Sequence, residues 1–101
     1  MTAKYTLVDG KPRLEPDVMK WAVWMEGADE ERVVAADAVG GSRVSTTFLA
    51  LDHNFAGGPP LLWETMVFGG PLDGEQERYT SRDDALAGHR RWVEHVKDDA
   101  R

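Results

Sequence analysis

Hydrophobic and polar positions change their spacing along the chain, and the changes divide it into elements. Tyr5 to Val8 is a short strand-like run closed by Asp9-Gly10, a pair suited to a turn because glycine accepts positive φ at little cost. Pro16 favours a first helical position, where its missing N–H would have had no partner, and Asp17 follows where the helix dipole stabilises a negative charge. A helix from Pro16 to about Glu26 is predicted. Val18, Trp21, Ala22 and Met25 recur three and four apart and form its apolar stripe, while Asp17, Lys20 and Trp24 fall on the other side. Gly27 ends it.

After the acidic connector Asp29-Glu30-Glu31, the spacing shortens. Arg32 to Val39 and Arg43 to Leu51 are rich in Val, Ala and Thr, and Gly40-Gly41 between them suits a two-residue hairpin turn. That turn opposes Val39 to Ser42 and Val33 to Phe48. One face then carries Val33, Ala35, Asp37, Val44, Thr46 and Phe48; the other carries Val34, Ala36, Ala38, Ser45, Thr47 and Leu49. Leu61 to Phe68 predicts a third strand, with Trp63 on one face and Leu62, Glu64, Met66 and Phe68 on the other. Neither face of this sheet is clearly wet, so a cover for the second face is expected, and a second copy of the chain is the simplest one.

Gly69-Gly70-Pro71 breaks the strand, and Glu77 to Tyr79 predicts a short fourth one. Ser81 then sits where a helix cap belongs, three residues before Asp84. The helix it opens, from about Arg82 to Val96, has an apolar arc of Ala85, His89, Trp92, Val93 and Val96. The order is (β)αβββ(β)α. It predicts an α+β fold, an antiparallel three- to four-stranded sheet with two helices on one face, in a single domain over residues 1–101 with residues 1–14 and 98–101 loosely ordered.

Composition narrows the function classes. The 101 residues carry 12 Lys+Arg against 18 Asp+Glu, a net charge of −6. This balance argues against direct nucleic-acid binding and against a polybasic membrane contact. A globule of 11.3 kDa exposes roughly 5,700 Å², enough burial for one core. Without cysteine there is no disulfide, thiolate nucleophile or Cys-based metal knuckle. The opening residues lack a signal-peptide pattern and no apolar run approaches a membrane span, which places the expected site of action in the cytoplasm.

The richest stretch for chemistry is Asp52-His-Asn-Phe-Ala-Gly-Gly-Pro-Pro60, a loop between two strands. Asp52, His53 and Asn54 offer an acceptor, a titratable ring and an amide, and Gly57-Gly58 allow close backbone approach to a ligand. The same residue types also brace turns by bonding their own backbone. Trp63 and Arg78 extend the candidate ligand set by ring stacking and by a guanidinium fork for phosphate or carboxylate. Glu64 and His89 both fall on apolar faces, and a mutual hydrogen bond would satisfy both as a buried polar pair. Trp24, among polar neighbours, is a candidate interface residue. No catalytic residue is assigned, because the hydroxyls of Ser42, Ser45, Thr46 and Thr47 lack a nucleophile-elbow context. No metal site or cofactor is assigned either, since His53, His89, His95, Asp52 and Glu64 have no ligand spacing.

The stretch from Val44 to Gly70, with Met19-Lys-Trp21 before it and Arg78-Tyr-Thr80 and Ala87-Gly-His89 after it, resembles small uncharacterised proteins encoded by bacteriophages and prophages. The resemblance implies a host bacterial cytoplasm and an accessory role, counter-defence included, and carries no assigned activity. The leading expectation is a non-enzymatic homo-oligomer that binds a small nucleotide-like ligand or a host defence protein through the 52–60 loop. Two alternatives stay open: a small metal-assisted hydrolase using His53, Asp52 and Glu64, and an acidic nucleic-acid mimic that occupies a host effector.

Overall fold

In the computed structural model the described residues are 2–99, so the expectations for Met1 and for residues 100 and 101 lie outside them. In chain order the elements are β1 (Tyr5–Val8), β2 (Lys11–Leu14), α1 (Val18–Glu26), α2 (Asp29–Arg32), β3 (Val33–Val39), β4 (Ser42–Phe48), β5 (Trp63–Phe68), β6 (Gln76–Tyr79) and α3 (Arg82–Asp99). β1 and β2 form a hairpin; β3, β4, β5 and β6 form an antiparallel sheet in that order. This is the expected α+β arrangement, with β2 and α2 in addition.

The segment expected to be loose instead folds back on itself. Asp9 and Gly10 both take positive φ, 52° and 77°, the backbone of a tight hairpin turn that opposes Val8 to Lys11. The hairpin is tied to the body because Tyr5 N–H donates to the Ala50 carbonyl at 2.8 Å and Lys4 bridges to Leu51. Asp17 serves as the N-cap of α1: its carboxylate accepts from the N–H groups of Met19 (2.9 Å) and Lys20 (3.2 Å), so the helix starts at Val18 and not at Pro16. Its inward side is rotated from the expected stripe. Trp24 meets Phe48 edge-on at 6.2 Å, Trp21 donates from Nε1 to the carbonyls of Tyr5 and Ala50, and Val18 is left 53% exposed. Two indoles offer more burial and a polar handle than Val18 does, and they decide which side turns in.

The Gly40-Gly41 turn opposes Val39 to Ser42 as expected, but Val33 pairs with Thr47 and not with Phe48. A bulge between Val33 and Ala35 inserts one residue. Val34 is thereby turned to the core, and Arg32 Nε donates to the Phe48 carbonyl at 3.0 Å. Val44, Thr46, Phe48, Trp63, Thr65, Val67 and Tyr79 share the face on which α3 lies and onto which Trp24 reaches. The opposite face carries Ala36, Ala38, Ser45, Thr47, Glu64, Met66 and Phe68. No element of the described chain covers it, and Phe68 is 47% exposed.

Two apolar clusters fill the space between sheet and helices. One holds Phe48, Ala50, Leu62, Trp63, Tyr79 and Ala85; the other holds Val39, Val44, Val67 and Val96. α3 opens with the Asp84 N–H donating to Ser81 Oγ at 3.1 Å, the cap expected from the sequence. Midway along it, the Tyr79 ring lies directly against the backbone of Gly88, where a Cβ would overlap the phenol. That ring is held by hydrogen bonds and cannot swing clear. Gly88→Ala gains about 1 kcal/mol in helix propensity but overfills a site where overpacking costs about 1–3 kcal/mol. The expected net loss, centred on about 1 kcal/mol, corresponds to a fall in melting temperature of about 4–8 °C, read by circular dichroism; a stabilised variant would contradict this packing.

Candidate functional site

The loop between β4 and β5 is built from its own polar side chains. Asp52 Oδ1 accepts from the N–H groups of Asn54 (2.8 Å) and Leu61 (3.0 Å), closing the base of the loop. Asn54 accepts from Ala56 N–H at 3.2 Å and donates from Nδ2 to the Pro59 carbonyl at 2.9 Å. His53 Nδ1 donates to the Leu51 carbonyl at 2.8 Å, which places the ring proton on Nδ1. Gly57 and Gly58 turn the chain at φ 87° and 97°. Each of Asp52, His53 and Asn54 is thus engaged in bracing the turn. What the brace presents is Phe55, 80% exposed, its ring 6.2 Å from that of His53. An aromatic residue flanked by Asn, Ala and Gly was the available signal for it.

The rest of the expected ligand set is not brought to this loop. Trp63 is 4% exposed and packs on Phe48 at 5.5 Å, so its face is closed to stacking. Arg78 lies on the other face of the sheet, where its Nε donates to Glu64 Oε2 at 2.9 Å. The expected Glu64–His89 pair is therefore incorrect. Glu64 sits on the uncovered face, while α3 carries His89 onto the opposite one. Trp24, expected to be free for an interface, is half-buried against Phe48.

His89 instead anchors a polar row that crosses all four strands. Its Nε2 is 2.7 Å from Asp37 Oδ2 and its Nδ1 is 2.7 Å from Thr46 Oγ1. Thr46 and Thr65 hydroxyls are 2.6 Å apart, and the Tyr79 phenol is 2.9 Å from Thr65 Oγ1. The Asp37 carboxylate accepts at the Nε2 end of the row, and each Thr hydroxyl has a polar partner on both sides. Beyond Tyr79, Glu77 Oε1 lies 3.1 Å from the phenol and accepts from Trp92 Nε1 at 3.0 Å and Arg91 at 3.4 Å.

Comparison with protein-family models, curated proteins and solved structures returned no match.

Chemistry must therefore be judged from the geometry. Asp37, His89 and Thr46 have the carboxylate–imidazole–hydroxyl order of a nucleophilic triad. Access decides against that use: Thr46 and Thr65 are fully buried, and both faces of the Thr46 hydroxyl are occupied by His89 and Thr65. No acyl carbon can reach the oxygen. Among the described residues no three His, Cys, Asp or Glu side chains gather as a metal site, and the residues named for a hydrolase are separated, Glu64 being engaged by Arg78. Asp37 was legible as a partner for His89, since the sequence pattern already placed it on the face of Thr46.

Burial pushes the Tyr79 phenol above its usual value near 10; the Thr65 hydrogen bond opposes that shift and the Glu77 charge adds to it. Since the folded pKa is the higher one, the stabilisation from the protonated phenol is complete below pH 10. It falls as pH rises past the unfolded value towards the folded one. Tyr79→Phe should flatten the loss of melting temperature above pH 10, and an unchanged alkaline slope would contradict the burial. Thr65→Val keeps the shape but breaks the row at its centre, leaving Thr46 and Tyr79 each without one hydrogen-bond partner. A loss of about 1–3 kcal/mol is expected in denaturant titration.

Proposed function

We propose that the chain is a small, non-enzymatic binding protein of phage or prophage type that grips a host protein through the 52–60 loop, with Phe55 as the anchor. The observation that carries this reading is a phenyl ring 80% exposed at the tip of a loop whose neighbouring side chains are all engaged in holding it. Buried aromatic anchors dominate the energetics of protein interfaces, and a loop already braced by Asp52 and Asn54 loses little freedom on docking. A small nucleotide-like ligand is less well served. It would need a stacking face and a phosphate fork on one side, and Trp63 is buried while Arg78 stands on the other face of the sheet, bonded to Glu64. The exposed Phe55 suits a protein surface acting in counter-defence better than it suits a nucleotide trap.

A photo-crosslinking residue at position 55, introduced in the native host, tests the contact directly. A discrete protein adduct is expected from position 55 and none from the solvent-facing position 26 on α1. Phe55→Ser should keep the wild-type melting temperature while weakening the recovered partner's affinity by about tenfold or more, the scale of a 1.4 kcal/mol or larger anchor. Equal adducts from both positions, or an affinity indifferent to Phe55→Ser, would overturn the reading. A small molecule retained in native mass spectrometry would favour the nucleotide alternative.

A further inference from the structure

The backbone of β3 carries an unanswered hydrogen-bonding edge. Leu49 N–H donates to the Leu62 carbonyl at 2.7 Å, and in an antiparallel ladder successive residues face opposite neighbours. Thr47, Ser45 and Arg43 therefore address β5, while Thr46, Val44 and Ser42 address β3. Their β3 partners Ala35, Asp37 and Val39 face inward. Ala36 and Ala38 accordingly point their N–H and C=O groups away from the sheet, and among the described residues no strand lies beyond them.

Exposed strand edges are usually blunted by charge, proline or shortness. β6, the other edge of this sheet, is four residues long and carries Gln76, Glu77 and Arg78 exposed. β3 is seven residues of Val, Ala and one Asp, without Lys, Arg or Pro, and its single carboxylate is bonded to His89. The bulge at Val34 protects only its first residues. The chain also exposes 6298 Å², more than the roughly 5,700 Å² usual for its mass, so surface remains to be covered.

We infer that β3 pairs antiparallel with β3 of a second copy, joining two four-stranded sheets into one across a two-fold axis at Ala36. Charge selects this register. An axis at Asp37 would set two carboxylates directly opposite each other, a destabilising cross-strand pair. An axis at Ala36 opposes Asp37 to the partner's Ala35 and Val33 to the partner's Val39, and it overlaps all seven residues. It also brings the acidic α2 of each copy, Asp29, Glu30 and Glu31, towards the other's Gly40-Gly41 turn beside exposed Arg43, so the flanks attract. A two-fold contact of this kind closes on itself and stops at a dimer.

The absence of cysteine makes the register measurable. Residues of a hydrogen-bonded antiparallel pair have Cα atoms about 5.5 Å apart, inside the range of roughly 4.4–6.8 Å that a disulfide spans. Ala36→Cys should form an intermolecular disulfide on mild oxidation, and Ala38→Cys, which faces the partner's Val34, should not. In light scattering the unmodified chain should show twice its 11.3 kDa mass. Ala36→Pro, which removes only an outward N–H, should halve that mass without changing the circular dichroism spectrum. Should Ala36→Pro prove unfolded, Ala38→Lys supplies the same reading by placing a charge on the edge. A wild-type chain of single mass at its highest soluble concentration overturns the inference. So does a dimer that survives both edge variants, or equal oxidation at positions 36 and 38.

Discussion

A single constraint governs the interior: Thr46, Thr65 and Tyr79 on the sheet and His89 on α3 are buried polar side chains, and each must find a partner there. The row from Asp37 through His89, Thr46 and Thr65 to Tyr79 lies between two apolar clusters, with Phe48, Trp63 and Ala85 on one side and Val44, Val67 and Val96 on the other. Apolar contacts alone tolerate sliding, because Val and Ala pack acceptably in several registers. Hydrogen bonds between fully buried hydroxyls do not, since a displaced donor leaves an unsatisfied group in a medium without water. The row therefore sets the rotation of α3 and aligns Thr46 with Thr65 across β4 and β5. It also dictates glycine at position 88, because the phenol that ends the row needs the space a Cβ would fill.

The sequence carried the parts of this fold that depend on local chemistry. Gly40-Gly41, the Ser81 cap and the period of α3 each point to one structure and each is found, as is the α+β order of elements. Where tertiary packing overrides local preference, the pattern misleads. Val18 and Trp24 exchange sides because an indole against Phe48 outweighs a valine. The bulge at Val34 shifts one end of the hairpin by a residue, and no residue type in Val-Val-Ala-Ala announces it. β2, Lys-Pro-Arg-Leu, has no strand period at all; it exists because Asp9 and Gly10 fold it onto β1.

The candidate site was legible in its location and not in its roles. Asp, His and Asn are the residues that bind ligands and equally the residues that close turns, since both uses rest on short polar groups near the backbone. The bonds to Leu61, Pro59 and Leu51 place all three in the second use. The pairing of Glu64 with His89 failed for a related reason. Alternation along β5 showed that Glu64 opposes Trp63, but only contacts with α3 decide which of those faces is inside. Once that choice is made, Asp37, Thr46 and Thr65 fall under His89 together, and Glu64 is left to Arg78.

The loop and the free edge of β3 are linked by the course of the chain. The loop leaves β4 near Phe48, at the end of the sheet where β3 begins. Antiparallel pairing of β3 with a second β3 sets the Val33 end of one copy beside the Val39 end of the other. The two Phe55 rings would then stand at opposite ends of a joined sheet, held by strands rather than by a flexible linker. A rigid pair of anchors engages two sites only when their spacing matches, and gains nothing when it does not. Such a dimer would bind a symmetric partner of fitting dimensions far more tightly than a monomeric one, through geometry and without any further contact.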